Sequence, residues 1–391
     1  MVNLLLRSDK VNPDNSDNGG QTPLLCAAWN GHEGVVQILL ERDEVDLKRL
    51  DNGGRTPLWC AASNGHAKVV DMLLERGDVN TDNPDSGGQT PLLCAAWNGH
   101  AGMVKMLLER DEVDPGKPDN NGRTPLWCAA LNGHAKVAEM LLERGEVSPD
   151  KPDNGHQTPL LCAAWNGHEG VVKILLERDE VDPDKPDNNG RTPLRCAASN
   201  GHEGAVKMLL ERDEVDPDKP DIDGRTPFLC AAWNGYTRVV KMLLERGGVN
   251  PDKPDNEGQT PLLGAAWNGQ AEVVKILLER DEIHPGRPDN KGKTPLQHAA
   301  RNGHKRVVKI LLERDVVRPN KSHNDGRVPL WAAAWKGHVG VVKMLLERDV
   351  VLPNKPHNDG RVPLWAAAWK GHLGVVKMLL EQDEASPTKP S

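Results

Sequence analysis

The chain has 391 residues, a formal net charge of −8 and a pI near 6.0. That acidic balance speaks against general binding to DNA or RNA, which needs a basic face to displace counterions. No stretch approaches the roughly 18 consecutive apolar residues of a membrane span, and Met1–Arg7 holds too short an apolar run for a secretion signal; an intracellular location, cytoplasmic or nuclear, is expected, with no membrane insertion.

The first residues match a later segment of the same chain. Leu5, Leu6, Asp9 and Val11 stand one period of 34 before Leu39, Leu40, Asp43 and Val45. Residues 1–16 therefore read as a partial unit that begins inside a second helix. Full units occupy 17–384, and a short polar tail occupies 385–391. The triplet Thr-Pro-Leu begins at Thr22, Thr56, Thr90, Thr124, Thr158, Thr192, Thr226, Thr260 and Thr294, and continues with Val at Val328 and Val362. This is eleven units in register without an insertion, so length does not count separate cores.

Within the first unit, Thr22 is a good N-cap and Pro23 suits the first helical position. Leu24, Ala27 and Ala28 then share one face, and Asn30-Gly31 ends the helix with a left-handed turn. A second helix comes next, with Val35, Val36, Leu39 and Leu40 as its apolar stripe. A connector rich in Pro and Asp completes the unit, as in 182–190; its prolines forbid helix and its final Gly favours a turn. Neither helix could bury its apolar face alone, so neighbouring units must stack. Units at Gln21, Gln89 and Gln157 share Leu-Leu-Cys-Ala-Ala-Trp, and those at Arg55 and Arg123 share Leu-Trp-Cys-Ala-Ala. The duplicated block is thus two units. The last unit carries no polar capping substitutions, which predicts either a fragment of a longer chain or ends that meet a partner.

These residues resemble the ankyrin repeat, whose pattern carries a turn Gly, Thr-Pro-Leu-His, Ala-Ala, Gly-His, Val-Val and Leu-Leu. The 34-residue spacing and the Pro-Asp-Lys-Pro connector are similar to arrays in fungal proteins, where such repeats often follow a nucleotide-binding signalling module. The resemblance implies an all-α solenoid of stacked helix-turn-helix units with projecting turns or hairpins. The chain departs from the pattern in one respect throughout. The His after Thr-Pro-Leu is replaced in all eleven units, by Leu25, Trp59, Leu93, Trp127, Leu161, Arg195, Leu229, Leu263, Gln297, Trp331 and Trp365. Its hydrogen bonds must be lost or replaced. His156 also stands where other units have the turn Gly.

The resemblance further implies that the first helices and turn tips line a concave groove that binds proteins. Tryptophan occupies two positions there, four residues apart and so on one face. The later position holds Trp29, Trp97, Trp165, Trp233, Trp267, Trp335 and Trp369; the earlier holds Trp59, Trp127, Trp331 and Trp365. Trp is a frequent interface hot spot, and the alternative is that the rings pack between repeats. Binding is the favoured reading at the later position and packing at the earlier one. The densest cluster, Trp331, Trp335, Trp365 and Trp369, is the expected docking site. The turn-tip row Gln21, Arg55, Gln89, Arg123, Gln157, Arg191, Arg225, Gln259, Lys293, Arg327 and Arg361 occupies a contact position of the family.

The remaining rows read as structure. Seven cysteines, from Cys26 to Cys230, fill one repeat position as small buried residues, because stacked helices about 8–10 Å apart exceed disulfide reach. The His row from His32 to His372 is a loop feature, and Arg in the Glu-Arg pairs complements the second-helix dipole. Metal, nucleotide and hydrolase signatures are missing, and any candidate catalytic set recurs in every unit. The expected function is a scaffold or adaptor for a partner protein, without cofactor, metal or small-molecule substrate. The runner-up is a recognition array from a larger nucleotide-binding signalling protein.

Overall fold

The computed structural model describes residues 12–384, apart from positions 78, 315, 323, 325 and 349. The partial unit at Leu5–Val11 and the tail at 385–391 lie outside the described residues. Twenty-two α-helices in eleven pairs, and no strand, occur among the described residues; the first helix of each pair opens at Pro23 and then at every 34th residue to Pro363. The chain forms two compact units, Met1–Asn188 and Asn189–Ser391. The first holds five helix pairs and the second six. Within each unit, first helix packs on first helix and second on second of the next repeat.

The local chemistry of each pair is the one its sequence calls for. The Thr56 side chain accepts the N–H of Trp59 at 3.0 Å, with Pro57 at the first helical position. Thr caps the first helix this way in nine repeats, whereas Val328 and Val362 cap theirs with no side-chain bond. At the other end Asn64 donates to the Cys60 carbonyl at 2.9 Å, and Gly65 takes φ 74°. That glycine position serves a second purpose. A Cβ on Gly31 would lie 2.4 Å from Nδ1 of His66, whose Nε2 lies 3.0 Å from the Trp29 carbonyl of the preceding repeat. The same His-to-carbonyl bond, 37 residues back, recurs at His100, His134, His168, His304, His338 and His372. The His row is therefore a structural loop feature that also ties each repeat to the one before it. Val69, Val70, Leu73 and Leu74 form the buried stripe of a second helix. Arginines just past these helices reach further than a dipole argument suggests: Arg76 and Arg246 donate to the Leu40 and Leu210 carbonyls, each at the end of the previous second helix.

The connectors stack as well. Asn52 N donates to Gly19 O at 2.9 Å and its amide to Asn18 O at 3.0 Å, and equivalent bonds run through both units. A lysine lies one repeat and one residue after a connector aspartate and pairs with it: Lys117–Asp82 and Lys185–Asp150 at 2.6 Å, Lys253–Asp218 at 2.8 Å. His156 holds φ 61°, the one non-glycine left-handed residue among those described. The turn keeps its geometry and absorbs roughly 1–3 kcal/mol of backbone strain there.

Candidate functional site: the tryptophan and arginine face

The turn before each first helix is organised by a carboxylate. Oδ1 of Asp51 accepts the N–H groups of Gly53 and Arg55, both at 2.9 Å, and Oδ2 meets the Arg55 guanidinium at 2.7 Å. Asp119 holds Arg123 in the same way, with the ion pair at 2.6 Å. Burial pushes the Asp51 carboxyl up, but the Arg55 guanidinium and the two backbone N–H groups outweigh it and hold it below the usual carboxylate range.

So fixed, each arginine lies against aromatic rings. The Arg55 guanidinium is 5.3 Å from the Trp29 ring and 5.7 Å from Trp59, and those two rings stack at 6.4 Å. Arg123 lies 5.5 Å from Trp97 and 5.9 Å from Trp127. A later-position Trp, the next turn's Arg and the next earlier-position Trp thus make one cluster across a repeat boundary. Each such contact contributes about 0.5–1 kcal/mol where solvent reaches it. Toward the C-terminus Arg327 lies 4.5 Å from Trp331, Arg361 4.2 Å from Trp365, and Lys370 4.4 Å from Trp335. Trp331 stacks on Trp335 at 5.1 Å and Trp365 on Trp369 at 5.2 Å.

The two Trp positions differ in exposure. Trp59, Trp127 and Trp331 are buried, between 4% and 6% exposed, whereas Trp29, Trp165, Trp267 and Trp369 range from 37% to 68%. Trp97, Trp233, Trp335 and Trp365 are half-buried. The cluster at 331–369 thus has one ring facing inward and three reachable from solvent. Trp59 Nε1 donates to Gln89 O at 2.8 Å and Trp127 Nε1 to Gln157 O at 2.9 Å, each 30 residues on. Gln297 Nε2 reaches Arg327 O at 2.9 Å, and Arg195 pairs with Asp221 at 2.7 Å. Polar residues that replace the family His thus bond forward to the next repeat's turn segment. Trp331 departs from this, its buried Nε1 having no acceptor among the described residues.

Other turn-tip residues make looser contacts. Gln21 and Gln89 accept weak contacts from Cys26 and Cys94 in their own repeats. Arg225 meets Asp223 at 3.4 Å and Asp255 at 3.9 Å, and Arg191 is half-buried. The sequence reading missed that Arg55 and Arg123 are held by a carboxylate four residues earlier, and that Lys370 covers a ring; the Asp-x-x-x-Arg spacing of 51–55 and 119–123 is the signal for the first.

The cysteine row lies behind this face. None of the seven cysteines is in a disulfide, and all but Cys26 are buried. Burial pushes Cys60 and Cys128 up to about 12, and raises Cys94 and Cys230 as well. Where Gly264 replaces Cys, a Cβ would sit 2.4 Å from the Trp233 ring, so the glycine makes room for that tryptophan. Among the described residues no cluster of three or more His, Cys, Asp or Glu is arranged to hold a metal ion, and no helix is long and apolar enough to cross a membrane.

The stacked helix pairs, Thr-Pro-capped first helices and tandem turns define a repeat protein of helix–turn–helix units. The profile described as ankyrin repeats (3 copies) matches in overlapping windows from 1–83 to 317–390, and the chain belongs to the ankyrin-repeat family. No curated protein matches it. Ankyrin repeats are in general protein–protein interaction modules.

Proposed function

We propose that the chain is a scaffold or adaptor that binds a partner protein along the face made by its turn tips and exposed tryptophan edges. The supporting observation is the repeated Trp–Arg cluster. It presents rigid aromatic surface with the guanidinium already oriented by Asp51 or Asp119. Little side-chain entropy is then lost on association, and many modest contacts add. This reading assigns no catalytic step to the chain.

The test uses Trp29→Ala, Trp267→Ala, Trp335→Ala and Trp369→Ala combined, with equal helicity confirmed by circular dichroism. In pull-downs from source cells, a partner held by the parent chain and lost by the variant supports the face. Equal retention of every partner by both chains removes these rings from the interface.

A further inference from the structure

The connectors carry a second surface, which shares no residue with the tryptophan face. Residues 177–185 contain five acids and two bases, whereas 313–321 contain two acids and three bases. The change removes carboxylates and leaves their partners. In other repeats the arginine ending the second helix meets a glutamate two residues on, as in Arg42–Glu44 at 3.4 Å and Arg212–Glu214 at 3.6 Å. At Arg314 and Arg348 that glutamate is Val316 or Val350. The connector lysines Lys117, Lys185 and Lys253 each have an aspartate; Lys321 and Lys355 find Gly286 and Asn320 in its place and donate to their backbone carbonyls at 3.0 and 2.7 Å. A third acid, Asp182 in the earlier repeat, is Arg318 here. Arg314, Arg318, Lys321, Arg348 and Lys355 form no ion pair with any described residue.

These five cations line one open groove of about 1070 Å³, together with Leu312 and Val317 and with Glu347 as its acid. A neighbouring cavity of about 760 Å³ shares Gly286, Arg314, Val316 and Lys321 and adds Asp281 with Arg280 and Arg287, which pair with Glu282 and Asp252. Val316 and Val350 stand 67% and 64% exposed between the cations. Asp315 and Asp349 lie outside the described residues.

We infer that this groove, between the connectors of repeats 9 and 10, binds an acidic peptide segment of a partner protein with alternating apolar side chains. Its carboxylates take the places of the deleted glutamates and aspartates, and its apolar residues cover the two valines. Charge complementarity sets register and rate of encounter. The exposed valines favour a peptide over a nucleic acid, as does the chain's net charge of −8, which repels an extended polyanion.

The test is fluorescence anisotropy on the full chain with a labelled peptide alternating Glu and Val. Its Lys–Val counterpart and a short single-stranded DNA serve as the other probes. The variant Val316→Glu, Arg318→Asp, Val350→Glu restores residue types that other repeats carry, so it should fold with unchanged helicity. Saturable binding of the Glu–Val peptide is expected, weakened at least ~10-fold by the variant and falling with salt. Equal binding by parent and variant, equal binding of the Lys–Val peptide, no saturation, or tighter binding of the DNA at the same groove would each overturn the assignment.

Discussion

The turn at 85–89 and the turn at 357–361 share one backbone pattern, yet their side chains lock it differently. In the first, Asp85 accepts two turn N–H groups and the Trp59 indole of the preceding repeat donates to the Gln89 carbonyl. In the second, His357 stands in place of the aspartate and meets Asp359 at 2.7 Å, while the Trp331 indole above it has no acceptor. The helix after the first is capped by Thr90 and the helix after the second by Val362, without a side-chain bond. The second turn keeps both N–H bonds through other acceptors, Asp359 N–H to His357 Nδ1 and Arg361 N–H to Asp359 Oδ1, both at 3.2 Å, and lacks the indole bond and the cap bond. What those bonds add is resistance to local opening, so the C-terminal repeats should open before the early ones.

The largest expected separation of the two regions is in pH dependence. The early repeats bury thiols, which do not titrate between pH 4 and 7. Repeat 9 buries His298 at the same position, under the Trp267 ring at 4.2 Å and beside Asp289 at 3.2 Å. Burial lowers its pKa to about 4 although Asp289 opposes the shift. A depressed histidine contributes stability that is complete above the unfolded value near 6.5 and is lost as pH falls toward 4, by roughly 3 kcal/mol. Urea midpoints at pH 7 and 4.5 should differ more for the parent chain than for His298→Cys; parallel shifts would remove His298 from the account.

A smaller effect tests the indole bonds. Trp59→Phe loses a hydrogen bond and strands the Gln89 turn, whereas Trp331→Phe removes a donor that has no acceptor. Trp59→Phe should therefore cost about 1–2 kcal/mol more than Trp331→Phe in urea unfolding. Equal costs would mean that Trp331 finds an acceptor in solution. The smallest effect is Val362→Thr, which should restore the cap seen at Thr90 and stabilise by about 1 kcal/mol in thermal unfolding.

Much of the fold was legible because it is local. Thr22, Pro23 and Asn30-Gly31 announce a helix start and stop within nine residues, and Val35, Val36, Leu39 and Leu40 mark one face. The fates of Trp29 and Trp59 were not legible from either residue alone. They depend on the stacking offset that brings Arg55 against both rings and Gln89 O to the Trp59 indole. The partners of the His row and of Arg76 were not legible for the same reason, since they lie 37 and 36 residues back. The groove at Arg314–Lys355 was hidden because its signal is what the repeat lacks, and a missing carboxylate shows only when its cation is seen alone.

The buried thiol row has a practical consequence. Six repeats each carry one cysteine whose sulfur is shielded while its repeat is closed, while Cys26 is open to solvent from the start. Reagent uptake by Cys60, Cys94, Cys128, Cys162, Cys196 and Cys230 then clocks the breathing of each repeat separately. The chain thus carries its own position-resolved opening assay across repeats 2–7, without a single added label.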